Sequence, residues 1–467
     1  MVRSVDVAEV IDSQNVSLYQ CVIALMAWIT LFLDGVNTQS LAYVAPAIGR
    51  SWHLGRGALG PVFSASIVGV AFGAIFVGPL ADRFGRKRVI VSTVAYVALL
   101  TLPVTQVPLI ASAVPGATLL GVLMTNRFLA GLGLGALVPL GIVIGNEFAP
   151  SRRRGAMVTL MGCGYAVGSA LGGILASGLI PLFGWESQFY AATAVTLVMA
   201  GVLAIWLPES IRYLTIRRRT GSIIAILRRI NPQLQFAPDT EFRIAMEGQQ
   251  DARRLRPGRL FTEGRAVMTF LLWLSFFMNL LALNYLNNWL PTLTTEAGLP
   301  GGEALRAAAS LQFGGMLGII TMGFLADRFG FDRVLAATFI AGGLCISLIG
   351  LAGAGFYSLA AAIFAAGFFV IGSQITLGAF AATLYPTSIR STGVSWAHGF
   401  ARCFSIVSVL FAGAMLAQHW PLRTMYLLVS IPMFFGCLWI LLLASSRSRA
   451  GRAQKSGLAA VGTGATS

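Results

Sequence analysis

Residues 119–146 read LLGVLMTNRFLAGLGLGALVPLGIVIGN, a run long and apolar enough to cross a bilayer as a helix. About 20 apolar residues suffice for that, and by the same measure the 467-residue chain holds about twelve such runs, split by short polar, Arg-rich or Gly/Pro-marked breaks. Strands of an outer-membrane barrel are a poor alternative, because those are alternating segments of only ~10 residues. The bulk numbers agree: 56% of residues are hydrophobic, 11% are charged and the mean hydropathy is +0.78, whereas soluble chains are about a quarter charged. The sequence predicts an all-α membrane protein with twelve transmembrane helices.

The net charge of +16 raises the question of nucleic acid, and its distribution answers it. Basic residues crowd RFGRKR at 83–88, SRRRG at 151–155, the stretch from Arg212 to Arg265 and the RSRAGR tail from 447. The intervening loops, around 109–118, 180–186 and 351–357, are nearly free of them. Lys and Arg accumulate on the cytoplasmic side of membrane proteins, so both termini and the long middle loop are expected in the cytoplasm, with no nucleic-acid partner. Asp6, Glu9 and Asp12 precede the first span without a cleavage signal, so that span is expected to stay as an anchor. Cys21, Cys163, Cys345, Cys403 and Cys437 are scattered and read as packing residues.

The two halves repeat. GPLADRFGRKR at 78–88 returns as GFLADRFGFDR at 323–333, each after the second span of its half. A weaker echo, EFAPSRRRG at 147–155 against TLYPTSIRSTG at 383–393, follows the fourth span of each. The expected organisation is a cytoplasmic segment 1–18, a six-helix bundle 19–207, a cytoplasmic linker loop 208–266, a second six-helix bundle 267–444 and a disordered cytoplasmic tail 445–467. Two parallel repeats fit a rocking secondary transporter with its site between them at mid-membrane.

These motifs carry a resemblance. GPLADRFGRK resembles the loop between helices 2 and 3 of the major facilitator superfamily, NRFLAGLGLG at 126–135 its fourth-helix arginine motif, and PESIRYL at 208–214 the end of helix 6 in sugar-porter-like branches. VDVAEVIDSQ, DGVNTQSLAYVAPAI, NNWLPTL and LYPTSIRSTGVSWAHG are similar to segments of the aromatic acid/proton symporter branch. The resemblance implies two pseudo-symmetric six-helix bundles and uptake of a small aromatic carboxylate, of benzoate or hydroxybenzoate type, with protons through a bacterial inner membrane. The chain departs from the branch in two places. Asn37 stands where the first-helix pattern D-G-x-D has its second Asp, and the arginine of helix 11 stands in ARCFSIVSV without the flanking glycines and Gly-Pro.

Candidate site residues follow from charge inside spans. A buried carboxylate costs roughly 2.5–3.5 kcal/mol on insertion scales and marks a pathway or relay. With the first span read as 19–41, Asp34 lies in its outer half and is the candidate proton carrier, with Arg127, in the outer half of the fourth span, as its partner and His398 as a second proton site. Asn37, a turn from Asp34, is expected on the same cavity face, either in contact with substrate or stabilising the helix. Arg402 is the candidate anchor for a substrate carboxylate, which guanidinium can hold bidentately. Asn279 and Gln374 are placed to bind ring hydroxyls, and Tyr43, Phe276 and Tyr285 to sandwich the ring.

Asp82, Arg83, Gly85 and Arg86 form a candidate cytoplasmic gate with Glu147, Arg154, Glu209 and Arg212; Asp327 and Arg328 are its C-terminal equivalents. With three histidines and no HExxH, Walker or G-x-S-x-G motif, catalysis is not expected, nor is a cofactor beyond the proton gradient, and a monomer is expected to suffice. Rival readings are a proton-coupled porter of a sugar, polyol or other organic acid, an exporter of aromatic compounds, and a non-transporting sensor.

Overall fold

In hydrocarbon every backbone N–H and C=O must be satisfied within its own segment, and the apolar runs accordingly become helices. The computed structural model describes residues 4–236, 240–243, 257–262, 265–353, 355–386 and 389–463. Part of the expected linker and residues 387–388 of the second echo lie outside the described residues. The membrane helices are α1 (Leu18–Ser51), α2 (Gly60–Phe76), α3 (Arg86–Thr101), α4 (Leu119–Phe148), α5 (Arg154–Phe183) and α6 (Glu186–Trp206) in one bundle. In the other they are α7 (Ala266–Glu296), α8 (Gly301–Phe329), α9 (Phe331–Ile349), α10 (Phe356–Leu384), α11 (Arg390–Ala417) and α12 (Leu422–Thr463). Among the described residues eleven helices meet the length and hydropathy of a membrane crossing, and Gly60–Phe76 is a shorter apolar helix.

Two extents differ from expectation. The first helix was expected to end near residue 41 and instead runs to Ser51. Its continuation SLAYVAPAIGRS is apolar enough to stay helical, Pro46 notwithstanding. The tail expected to be disordered continues α12 as helix to Thr463; its Ala, Arg, Gln and Lys are good helix formers and it contains no proline.

The repeated loops fold alike where the sequence repeats. Gly85 and Gly330 take φ of 100° and 87°, a left-handed conformation that glycine adopts without a Cβ penalty. That explains the shared glycine in L-A-D-R-F-G. Elsewhere α2 meets α4 on small residues: the Gly69 and Gly73 positions lie against the backbone of Phe128 and Leu132, and Gly135 against that of Val70.

The ends of the molecule differ. At the end bearing the termini, here the basic end, Ser4–Asp6 forms a strand β1 paired in parallel with β2, Glu241–Arg243. The helix Val7–Asp12 and the amphipathic helix Thr220–Ile230 lie over the first bundle there, burying Val7, Ile11, Ile223 and Leu227 with Phe148 and Leu207. Asp12 Oδ1 accepts from the Ser151 backbone N–H at 2.7 Å and Gln14 Oε1 from Asn231 Nδ2 at 2.8 Å. The basic end of the first bundle thus has its own core. At the far end a single core runs through both bundles, joining Tyr43, Phe63, Trp185 and Phe189 to Trp289, Leu293 and Leu305.

A polar latch reinforces the far end. Arg56, between α1 and α2, pairs with Glu296 at the end of α7 at 3.1 Å, and its Nη1 lies 3.2 Å from His419 Nδ1. Phe63 meets Trp289 edge-on at 5.3 Å, and Gly57 packs against the Gly413 backbone. The Arg56 and Glu296 side chains remain 52% and 30% exposed, and pairs of that kind are worth about 0–1 kcal/mol. Arg56→Ala is therefore expected to widen the far end only modestly, shifting the population of far-end-open molecules by no more than about fivefold. Distances between spin labels at that end would read this shift; a complete switch to the open form would mean the latch, rather than the apolar seam, holds it shut.

Candidate functional site

Depth along the helices decides which charges meet. At about 1.5 Å per residue from the far ends of their helices, Asp34 lies about 25 Å down α1 and Arg402 about 22 Å down α11, while Arg127 lies only about 12 Å down α4. The expected Asp34–Arg127 pair does not form. Arg127 donates from Nε and Nη2 to Asn126 Oδ1 at 3.1 and 3.0 Å and sits 5.6 Å over the Phe189 ring. Among the described residues Asp34 forms no ion pair within 4 Å, and the cation whose charge reaches it is Arg402, from the opposite bundle. Ending the first span at residue 41 had placed Asp34 in its outer half, level with Arg127; the extension to Ser51 moves it to mid-membrane.

Asp34 is 5% exposed and, among the described residues, accepts only a long, 3.5 Å, hydrogen bond from Thr38 Oγ1. Tyr165 of α5 feels both Asp34 and Arg402, and His398 feels Arg402. The His398 ring lies 4.5 Å from that of Phe276 on α7. Arg402 is exposed although it stands mid-helix. The two bundles share a core toward the far end, whereas the basic end of the first bundle has its own, and we take the space between the bundles toward the basic end as the cleft that Arg402 faces. The arrangement is a carboxylate on one bundle facing a guanidinium on the other, with a phenol, an imidazole and an aromatic wall beside them.

Asn37 is not on this face. Its Nδ2 donates to Leu33 O at 2.8 Å and Thr196 Oγ1 at 2.9 Å, and its Oδ1 accepts from Thr101 Oγ1 at 3.1 Å. Three residues along a helix fall short of a full turn by about 60°, enough to turn Asn37 from the cleft into the seam of α1, α3 and α6. Of the two expected roles, the substrate contact is corrected, and the hydrogen bonds fit the stabilising one, a knot inside the first bundle. Asn37→Leu is expected to cost about 1–2 kcal/mol of stability, read as a lowered melting temperature in detergent. Substrate affinity should be unaltered, and a selective loss of affinity would restore Asn37 to the cavity.

The remaining candidates divide. Tyr43 donates to Ser169 O at 2.8 Å and stands toward the far end of the central cluster. Tyr285 is 1% exposed and packs against Tyr426 of α12 with ring centroids 6.2 Å apart, inside the second bundle and away from the cleft, so its expected ring contact is not made. Asn279 donates from Nδ2 to Ser373 Oγ at 2.7 Å and Val370 O at 3.2 Å, tying α7 to α10. Its Oδ1 and the Gln374 Oε1 are buried with no hydrogen-bond partner among the described residues. Both residues lie at about the depth of Arg402.

The loop cluster assembles largely as expected, within the first bundle. Arg86 pairs with Glu147 of α4 and reaches Asp82 at 3.7 Å. Ser210 Oγ donates to Glu147 Oε2 at 2.6 Å and accepts from Arg86 at 3.4 Å. Glu209 Oε1 accepts from the backbone N–H of Lys87 at 3.0 Å and of Ser210 at 2.9 Å, a carboxylate at the start of α3 where the helix dipole favours it. Arg212 lies close enough for its charge to act on Arg86. Two candidates stay apart: Arg154 donates to Ala149 O at 3.4 Å, and the Arg83 guanidinium lies over Phe84. In the second bundle Phe331 replaces Arg86 and stacks on Phe380 at 5.7 Å, while Arg328 lies over Phe329 and Asp327 is exposed.

Sequence reasoning missed Ser210, Tyr165 and the Arg56–Glu296–His419 latch. The first was readable, since Ser210 precedes the short helix Ile211–Ile216 and caps it at Tyr213 N, 3.1 Å away.

The Major Facilitator Superfamily model matches residues 27–322 and 272–465. The gallate transporter of Pseudomonas putida is 36% identical, over 96% of this chain and 96% of that protein. The 4-hydroxybenzoate transporter PcaK of Pseudomonas putida is 35% identical, over 92% of this chain and 94% of that one. The inward open conformation of the xylose transporter XylE from E. coli superposes with a TM-score of 0.66 at 16% identity, covering 90% of this chain and 95% of that one. Matching motifs, two six-helix bundles and relatives along nearly the whole length converge: the chain belongs to the Major Facilitator Superfamily of transporters, in the branch that includes the aromatic acid transporters.

Proposed function

We propose that this protein imports a small aromatic carboxylate, of benzoate or hydroxybenzoate type, together with protons across a bacterial inner membrane. The observation that carries the reading is that Asp34 and Arg402 stand at about the same depth on opposite bundles, about 25 and 22 Å from the far ends of their helices. A carboxylate substrate entering the cleft meets Arg402, and an aromatic body beside it meets Phe276 and His398. Relatives named for 4-hydroxybenzoate and gallate support that substrate class.

Charge balance supplies the coupling. Substrate carboxylate and Asp34 compete for one guanidinium. When substrate holds it, Asp34 is left without a counter-charge in a poorly solvated site, and a proton restores neutrality. The loaded, neutralised centre can then cross the rocking transition in either direction. Each net charge moved across 100 mV contributes about 2.3 kcal/mol, so more than one proton per anion would make import electrogenic. By the positive-inside rule the basic end faces the cytoplasm, and the Arg86–Glu147–Ser210–Glu209 cluster braces the helix ends that move there. The reading needs no cofactor and no second copy of the chain.

Counterflow in proteoliposomes tests it. Vesicles loaded with unlabelled 4-hydroxybenzoate should transiently accumulate the labelled acid, benzoate-type acids should compete, and xylose or benzyl alcohol should not. Competition by the sugar, with none by aromatic acids, would refute the substrate class.

A further inference from the structure

A second cavity, of about 690 Å³, opens at the far end between α1, α5, α7 and α8. Its walls are mainly apolar, formed by Tyr43, Ile180, Trp185, Pro300 and Leu305, with Arg50 as the cation among them. The volume lies within the roughly 300–1,000 Å³ of small-molecule sites. Arg50 is exposed and makes no side-chain hydrogen bond or ion pair with the described residues. Its position in the last turn of α1 suits the helix dipole, but that role does not require an aromatic wall beside it. Trp185 is held edge-on by Trp52 at 5.6 Å and Phe189 at 6.0 Å, so the wall is built in advance of any ligand.

The cavity also shares helices with the central site and the latch. Tyr43, in its wall, belongs to the same helix as Asp34, about 13 Å further out by helical rise. Thr295, another lining residue, directly precedes the latch residue Glu296. Opening the latch therefore moves a wall of this cavity.

We propose that this cavity is a vestibular capture site for a small aromatic monoanion, holding the carboxylate on Arg50 and the ring against Trp185 while the far-end latch is closed. The inference rests on the proposed substrate class and adds a second, outer station for it. An apolar wall alone would suit a lipid chain; a cation inside the wall selects an amphipathic anion.

Photolabelling of the full chain in nanodiscs with 4-azidobenzoate, followed by peptide mapping, tests the site. Adducts are expected in the peptides holding Tyr43 to Arg50 or Ile180 to Trp185, suppressed by excess 4-hydroxybenzoate. They should persist in Arg402→Ala, fall at least fivefold in Arg50→Gln and recover in Arg50→Lys. No adducts there, loss of them in Arg402→Ala, or equal labelling by uncharged phenyl azide would each overturn the proposal; the last would mark a lipid or purely apolar pocket. Failure of counterflow with labelling intact would refute the transport reading while leaving the vestibule, and the reverse result would do the opposite.

Discussion

Asp34→Asn is expected to abolish accumulation of an aromatic acid driven by a pH gradient while sparing exchange of internal for external substrate. Asparagine keeps the size and hydrogen-bonding capacity of the side chain and removes its ability to take up a proton. The neutral amide leaves Arg402 free for substrate, so the loaded state still forms and still rocks. The step lost is the return of the empty carrier, which in wild type crosses with ionised Asp34 balancing Arg402 and in the variant leaves Arg402 without a counter-charge. Gradient-driven uptake should drop at least about a hundredfold, the equivalent of about 2.7 kcal/mol of lost driving force, with counterflow within a few-fold of wild type. Equal loss of both activities would make Asp34 a structural or binding residue. Uptake that still follows the gradient would move the proton site elsewhere, with His398 the first candidate.

Arg402→Ala is the second large effect. Removing one partner of a hydrogen-bonded charge pair costs about 2–5 kcal/mol, so apparent affinity for a benzoate-type acid should fall roughly thirtyfold or more. Counterflow should fail along with net uptake, which separates this variant from Asp34→Asn. Arg402→Lys keeps the charge but loses the planar fork that matches a carboxylate, and should fall between alanine and wild type. Because Arg402 is exposed in the cleft, its truncation leaves no packing void, and the melting temperature should change little. An Arg402→Ala protein with intact uptake would require a neutral substrate.

Much of this was legible in the sequence, for identifiable reasons. The LADRFG repeat carries backbone information, because Gly85 and Gly330 each occupy a left-handed turn. The same local order brought Arg86 to Glu147 and Glu209 to the start of α3. Titratable groups inside apolar runs, Asp34 and Arg402, stood out because burying charge is costly. What failed was whatever depended on depth or rotation. An error of ten residues in the end of α1 was enough to assign Asp34 the wrong arginine. A rotation of about 60° turned Asn37 from the cleft into the bundle, and the same blindness to helix facing misplaced Tyr285. The latch was illegible because Arg56, Glu296 and His419 come from three loop-end positions with no local pattern linking them. Only the packing of the two bundles brings them together.

The central claim is that substrate and Asp34 share Arg402, so that binding the acid loads a proton. Titration calorimetry of 4-hydroxybenzoate into the purified protein near neutral pH, in two buffers of different ionisation enthalpy, counts that proton directly. The account predicts uptake of about one proton per acid bound in wild type, none in Asp34→Asn, and no measurable binding in Arg402→Ala. Tight binding without proton uptake in wild type, or the same uptake in Asp34→Asn, would contradict it.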